Sequence, residues 1–394
     1  MRAKRRAARD SAANRWSLME SLEPRQLLSG NVFALVAAGN LFVVGDAVDN
    51  DIILSPGALA GQVQIASGAT TATTVDHSTT PVTLAGVTGS IIVALGRGDD
   101  RLEVSGLTVP GQLVADMGVG SNHVNIDSHT QVQGSMVIVD RGINSQVTVD
   151  MASVNGSVVL KGGFGANTVS IDTLTVNHAM VIQGGPSADT VTADVLHVAG
   201  SLVVKSGWGN DTATLTNSTI THAAVFSGTD VSLDTCTVGG ALVVVAGPLD
   251  GNVSVTNSTV TGPMVLRSGA GTDTVTLAGS TFHSAAVIRT GIGADTVNIN
   301  GSTFDGVFVL STGLGADTVN IATTDNVTFA RAAIVALGPG DDHLTLGNSG
   351  AGSFATFNGP AIANGGLGTD TLTYQGNHNV FAVTPVLVSF ETIN

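Results

Sequence analysis

Seven aspartates occupy the same place in a recurring turn. The turn reads G-x-G-x-[D/N]-T-V, as in GIGADTVNI at 291–299 and GLGADTVNI at 313–321. Its acid is Asp189 and Asp211 in two adjacent repeats, then Asp273, Asp295, Asp317, Asp342 and Asp370 in five successive ones. A second row, five residues further along the repeat, carries Asp127, Asp150, Asp172 and Asp194, with Asp234 beyond. It is filled mostly where the first row has Asn122, Ser145 and Asn167 instead. Carboxylates are hard oxygen ligands of the kind calcium takes. Unit charges spaced about 4.8 Å apart, the separation of stacked strands, repel by roughly 1 kcal/mol per pair in water and several times that in a less polar medium. A divalent cation would relieve both rows. The same residues serve equally well as turn formers that keep an apolar body soluble, because Asp and Asn bond their own backbone and glycine supplies the tight corner.

Other candidates surround these rows. With residues 284, 306 and their equivalents as position 1, four of the eight basic residues beyond residue 30 stand at position 6: Lys161, Lys205, Arg267 and Arg289. They are expected to reach the acid at position 12 of their own repeat, giving Lys205–Asp211, Arg267–Asp273 and Arg289–Asp295; the alternative is a basic strip that binds an acidic polysaccharide. Position 9, at the tip of the turn, holds Val119, Phe164, Trp208, Ile292 and Leu314. This column is expected to plug the corner of the core, and facing outward it would be a ridge for a protein partner or lateral association. The nine histidines are scattered, with His178 and His222 alone sharing position 1 two repeats apart, and no H-x-x-x-H or C-x-x-C spacing occurs. Cys236 at position 19 reads as core rather than nucleophile. No carboxylate pair stands apart from the rows to act as general acid and base, so no enzyme is expected.

The elements that must position these residues come from a 22-residue period. Units begin at 89, 111, 134, 156, 178, 200, 222, 240, 262, 284, 306, 331 and 359, with 222–239 short and the units from 306 and 331 long. Positions 14 and 16 are apolar around a polar 15, positions 3 to 5 are apolar, and position 21 is mostly Val, Ile or Phe. That pattern predicts two strands and a short third per unit, separated by Gly- and Asn-rich corners. One such unit buries its apolar face only against its neighbours, so the units stack. The fold class is therefore all-β, a single-stranded right-handed parallel β-helix (β-solenoid) of about thirteen coils, a rod about 60 Å long. Residues 31–88 read as irregular early coils or a cap with a polar excursion at 66–80, residues 89–374 as the repeats, 348–358 as an inserted surface loop, and 375–394 as a closing strand.

The composition agrees with strands and turns: 50 glycines, 4% aromatic and only 11% charged residues. The net charge of −15 is uneven. Residues 1–30 hold seven basic and three acidic residues, +4, which leaves −19 for the remainder. An acidic body argues against nucleic acid as partner, no apolar run is long enough for a membrane span, and the lone cysteine forms no internal disulfide. The basic start lacks the apolar stretch of a secretory signal.

Two resemblances add to this. GGLGTDTLT at 365–373 matches all nine positions of the RTX calcium repeat, G-G-x-G-x-D-x-U-x, and GGFGANTVS at 162–170 matches except for Asn167. The resemblance implies calcium shared between stacked turns; in the RTX family the motif recurs every nine residues, whereas here it recurs once per coil. Leu22-Glu23-Pro24-Arg25 followed by Gln26-Leu27-Leu28-Ser29 resembles the LEPR-XLL segment of planctomycete surface and secreted proteins. That implies a sorting role for residues 1–30 and an extracellular or cell-surface destination. The fold expected is also similar to that of pectate lyases, which cut acidic polysaccharides. The function expected is a non-enzymatic structural or adhesive solenoid, stiffened by calcium and meeting cell-envelope or extracellular matrix components; the alternative is a polysaccharide-binding or polysaccharide-cleaving β-helix.

Overall fold

The computed structural model describes residues 30–374 and 379–394; the LEPR-XLL segment lies outside them. Every regular element among the described residues is a β-strand. The coil at 200–221 shows how the repeat becomes structure. Leu202–Lys205 forms a first face, Thr212–Thr216 a second and Thr219–Ile220 a third. Alternate residues of each strand are buried, so Leu202, Val204, Ala213, Leu215 and Ile220 fill the interior. Each strand pairs in parallel with its counterpart one coil away, Leu202 facing Met180 on one side and Ala224 on the other. The result is a β-solenoid of about fourteen turns.

The period survives because three corner columns stack as strictly as the strands do. The turn at positions 8 to 10 is closed by two glycines. Gly291 and Gly293 have φ of +110° and +143°, and a Cβ on either would come within 1.9 and 1.7 Å of the carbonyl oxygen of Gly269 and Gly271 in the coil before. Only glycine passes both tests. At position 18 the chain turns from second to third face through a left-handed residue in coil after coil: Ser128, Met151, Thr173, Val195, Asn217, Thr235, Asn257, Gly279 and Gly301. Position 19 beside it becomes a column of buried serines from Ser218 to Ser302. Ser258 and Ser280 accept the backbone N–H of Cys236 and Ser258 at 2.9 and 3.1 Å and donate to the carbonyls of Thr256 and Ala278. Cys236 stands in this column and its thiol donates to the Asp234 carbonyl at 3.3 Å.

The core changes along the axis. The third-face column is Val109, Val132, Val154, Val176 and Val198 early on, and becomes Phe282, Phe304, Phe329, Phe357 and Phe381 later. Those five rings stack with centroids 4.7 to 5.1 Å apart and planes within 12°. Phe308 reaches across from the first face to lie against Phe304 and Phe329. Its column neighbours are the small Ala286 and Ala333, which leave room for it.

The ends depart from expectation in informative ways. Asn40–Val44 and Asp51–Leu54 already stack in parallel on Ile91–Ala94 and Arg101–Val104, so a first coil precedes the recognisable repeats. Antiparallel strands fold over it: Gly30–Ala37 on Asn40–Val44, and Gln62–Ser67 between Asp51–Pro56 and Val82–Ala85. Within the excursion at 66–80, Thr73–Val75 is a strand in parallel with Gly30–Val32. The inserted loop is shorter than 348–358, because Ala355–Phe357 pairs with Val327–Phe329 and Phe357 joins the ring stack. Residues 379–394 are more than a closing strand: Val386–Val388 and Thr392–Ile393 supply the first and second faces of a further turn.

Candidate functional site

Position 12 turns into the protein. Asp189, Asp211, Asp273, Asp295, Asp317, Asp342 and Asp370 are all at most 2% exposed. The reason is a backbone N–H at the end of the corner that has no ladder carbonyl opposite it. A buried N–H needs a partner, and the carboxylate of the next coil provides one. Asp273 N–H donates to Asp295 Oδ1 at 2.9 Å, Asp295 to Asp317 at 2.8 Å, Asp317 to Asp342 at 2.8 Å and Asp342 to Asp370 at 3.0 Å. The same rung joins Asn167 to Asp189, Asp189 to Asp211 and Gly251 to Asp273.

Three further rungs lie outside the seven aspartates of the expected row. Asp100, at position 12 of the first repeat, accepts from Asn50 N–H at 2.8 Å. Where position 12 is Ser145, the carboxylate moves to position 7: Asp140 is buried and takes Asn122 Nδ2 at 3.2 Å and Gly142 N–H at 2.6 Å. The last rung is Glu391, whose Oε2 accepts Asp370 N–H at 2.6 Å. Asp100 is visible from its register; the other two break it and are not.

The second oxygen of this column behaves differently. Oδ2 of Asp100, Asp211, Asp273, Asp295, Asp317, Asp342 and Asp370 is buried without a hydrogen-bond partner. Burial raises the carboxyls against the opposing pull of the N–H bond, to about 6 for Asp100 and Asp342. It pushes Asp211, Asp273, Asp317 and Asp140 upward as well. Hydroxyls at position 7 face these carboxyls, Ser268 toward Asp273 and Thr312 toward Asp317. Their own protons go to a carbonyl of the next coil, Thr290 O and Leu337 O at 3.0 and 2.7 Å. A proton on Oδ2 would complete this network, and so would a cation. At Asp273 and Asp317 the orphaned carboxylate oxygen has hydroxyl and carbonyl oxygens beside it, a donor set that fits a hard ion such as calcium. Among the described residues no three acidic, histidine or cysteine side chains converge on one point.

The second aspartate row faces outward on the second face. Asp150, Asp172 and Asp194 lie in register on adjacent coils. Asp194 accepts from Thr216 Oγ1 and Asn217 Nδ2 at 2.7 and 2.8 Å, and Asp234 from Thr256 and Asn257 at 2.6 and 2.9 Å. These bonds hold both carboxyls below the usual range. Asp127 Oδ2 accepts from Asn125 at 3.0 Å. Asp127, Asp194 and Asp234 are thus bound sideways to hydroxyls and amides, while Asp127 Oδ1 is buried without a partner.

Two expectations fail at the glycine corner. Lys161, Lys205, Arg267 and Arg289 are exposed, whereas the acids they were expected to meet are buried and bonded to backbone. Among the described residues Arg141 pairs with Asp116 instead, at 2.8 Å, and His283 Nδ1 shares a hydrogen bond with Asp305 Oδ2 at 2.7 Å. The apolar tip does not plug the core. Phe164, Trp208, Ile292 and Leu314 are 72, 84, 57 and 49% exposed, because the glycines on either side carry the tip residue over the outside of the corner. Arg267 and Arg289 are register neighbours, and Gln183 separates Lys161 from Lys205.

No protein-family model matches this sequence, and a search of curated proteins returns no relative.

Proposed function

We propose that this protein is a non-enzymatic structural and adhesive rod, working at the cell surface or outside the cell, whose buried aspartate column responds to calcium. The observation that carries this reading is the use made of the acids. The residues richest in chemistry are spent coil by coil on holding one turn to the next, which is what a stiff spacer needs. The orphaned Oδ2 atoms between Asp273 and Asp370 supply one anionic ligand per coil for the metal. The destination rests on the N-terminal segment and its resemblance.

Thermal melts at pH 7.5 with and without millimolar calcium test the metal component. A higher midpoint with calcium supports it, and an unchanged midpoint removes it. Turnover of any uronic-acid polymer, abolished by replacing one acid, would overturn the non-enzymatic part. Unchanged export after removal of residues 1–29 would sink the sorting role.

A further inference from the structure

Three successive coils carry an unusual corner. At position 6 and position 9 they present Lys161 and Phe164, then Gln183 and Pro186, then Lys205 and Trp208. All six are exposed, and Phe164 and Trp208 are the most exposed aromatic residues of the described surface. The three corners stack directly: Gly185 and Gly207 each lie so close to the glycine carbonyl of the preceding coil that a Cβ would fall within 1.9 and 1.8 Å of it. Lys161, Gln183 and Lys205 face one another in strand register. The corner segments KGGFGA, QGGPSA and KSGWGN contain no acid, and the position 12 carboxylates of the second and third, Asp189 and Asp211, are buried, while Asp230 on the next coil is half-buried. In a chain of net charge −15 this is a local cationic patch with flat apolar faces.

We propose that this corner is a binding site for a linear anionic polysaccharide, a β-1,4-linked polyuronate, lying along the rod axis. A cation for the carboxylate and an aromatic ring for the C–H face of the sugar are supplied together. The pairs recur on alternate coils, about 9.6 Å apart, the order of a disaccharide. Successive sugars of a β-1,4 chain are flipped, so the same edge returns at every second sugar. Gln183 and Pro186 between the pairs meet the flipped sugar with an amide and a small apolar ring. A polyphosphate fits less well, since two lysines on an acidic body give little counterion release. The inference gives a ligand to the adhesive part of the function proposed above. It rests on that reading only for where the two meet, because binding is measured on purified protein whatever its destination.

The test uses the full chain carrying Trp16→Phe, which leaves Trp208 as its single tryptophan, with polymannuronate as probe, Trp208 fluorescence and calorimetry as readouts, and uncharged mannan of similar length as control. Polymannuronate is expected to shift the Trp208 signal saturably, with affinity falling as salt rises. The Lys161→Ala/Lys205→Ala double variant and Trp208→Ala, the latter read by calorimetry, are each expected to bind at least tenfold more weakly with unchanged circular dichroism. Arg289→Ala, an exposed cation with no aromatic pair, is expected to bind as the parent does. Equal binding of mannan, an equal loss in Arg289→Ala, or preference for single-stranded DNA or anionic lipid vesicles over polymannuronate would each overturn the proposal.

Discussion

Each aspartate of the buried column from Asp273 to Asp370, like Asp100, has two oxygens with opposite circumstances. Oδ1 is satisfied and Oδ2 is buried alone, so the ionised form is disfavoured and the carboxyls of Asp100 and Asp342 rise to about 6. In the unfolded chain they titrate near 3.9. A carboxyl raised on folding contributes stability in full below its unfolded value and loses it as pH climbs through the folded one. Asp194 and Asp234, held low by hydroxyl and amide donors, act in the opposite sense and only as pH falls below the ordinary carboxylate range. The melting midpoint is therefore expected to be higher at pH 5 than at pH 7.5 without calcium; a midpoint that rises between those values would contradict the buried column. Asp342→Asn keeps the Oδ1 acceptor and replaces the orphaned oxygen with a donor, as Asn167 already does by giving Nδ2 to Gly165 O at 2.7 Å. It is expected to stabilise the protein at pH 7.5 by about 1 kcal/mol and to flatten the pH dependence, measured by denaturant melts. Strain at position 18 offers a second test. Val195, β-branched and at φ +51°, costs about 1–2 kcal/mol relative to a residue at ease there. Val195→Asn is expected to recover about 1 kcal/mol in the same melts, and a loss of stability would show that its packing outweighs its backbone.

At the level of the turn and its strands, the glycines and the residue between them do different work. Gly293→Ala places a methyl 1.7 Å from the Gly271 carbonyl at φ +143° and is expected to cost about 3 kcal/mol or more. Ile292→Ala, between the glycines and exposed, should stay within about 0.5 kcal/mol. Chemical denaturation of the two side by side separates corner geometry from tip chemistry. Period-two burial was legible in the strands because a strand has only two faces. The same logic does not reach the corners, where the direction of a side chain depends on how one turn sits on the next. Hence Asp295 and Ile292, three residues apart, both lie opposite to what polarity alone suggests: the acid is inside and the apolar residue outside. Asp140 and Glu391 were illegible for a related reason, since each restores a rung from another position and only three dimensions bring it there.

For the molecule as a whole, stacking makes each coil a neighbour of two others and of nothing else. Removing residues 178–199, one period, would set Val158 against Leu202 and Asn167 against Asp211 with every face preserved. A cooperative melt with an unchanged spectrum is expected. Removing 178–200 instead shortens the corner before Leu202 by one residue, and a lower melting midpoint than that of the 22-residue deletion is expected. The solenoid itself was legible because its period is written thirteen times in the sequence. The first coil was legible only as irregular, because a long excursion separates Asp51–Leu54 from the Arg101–Val104 it pairs with. The last was hidden by its short strands, Val386–Val388 and Thr392–Ile393.

The loop at Asn348–Ser353 has a consequence of its own. It lengthens its coil, yet Asp317 and Asp342 before it and Asp342 and Asp370 across it remain one rung apart, with N–H to Oδ1 distances of 2.8 and 3.0 Å. The antiparallel bridge between Asn348 and Ser353 closes the detour at its base and returns the chain to register. Length along the chain and height along the axis are therefore independent quantities at this corner. New sequence grafted there would add cargo to the side of the rod while every storey above it stays at the same level.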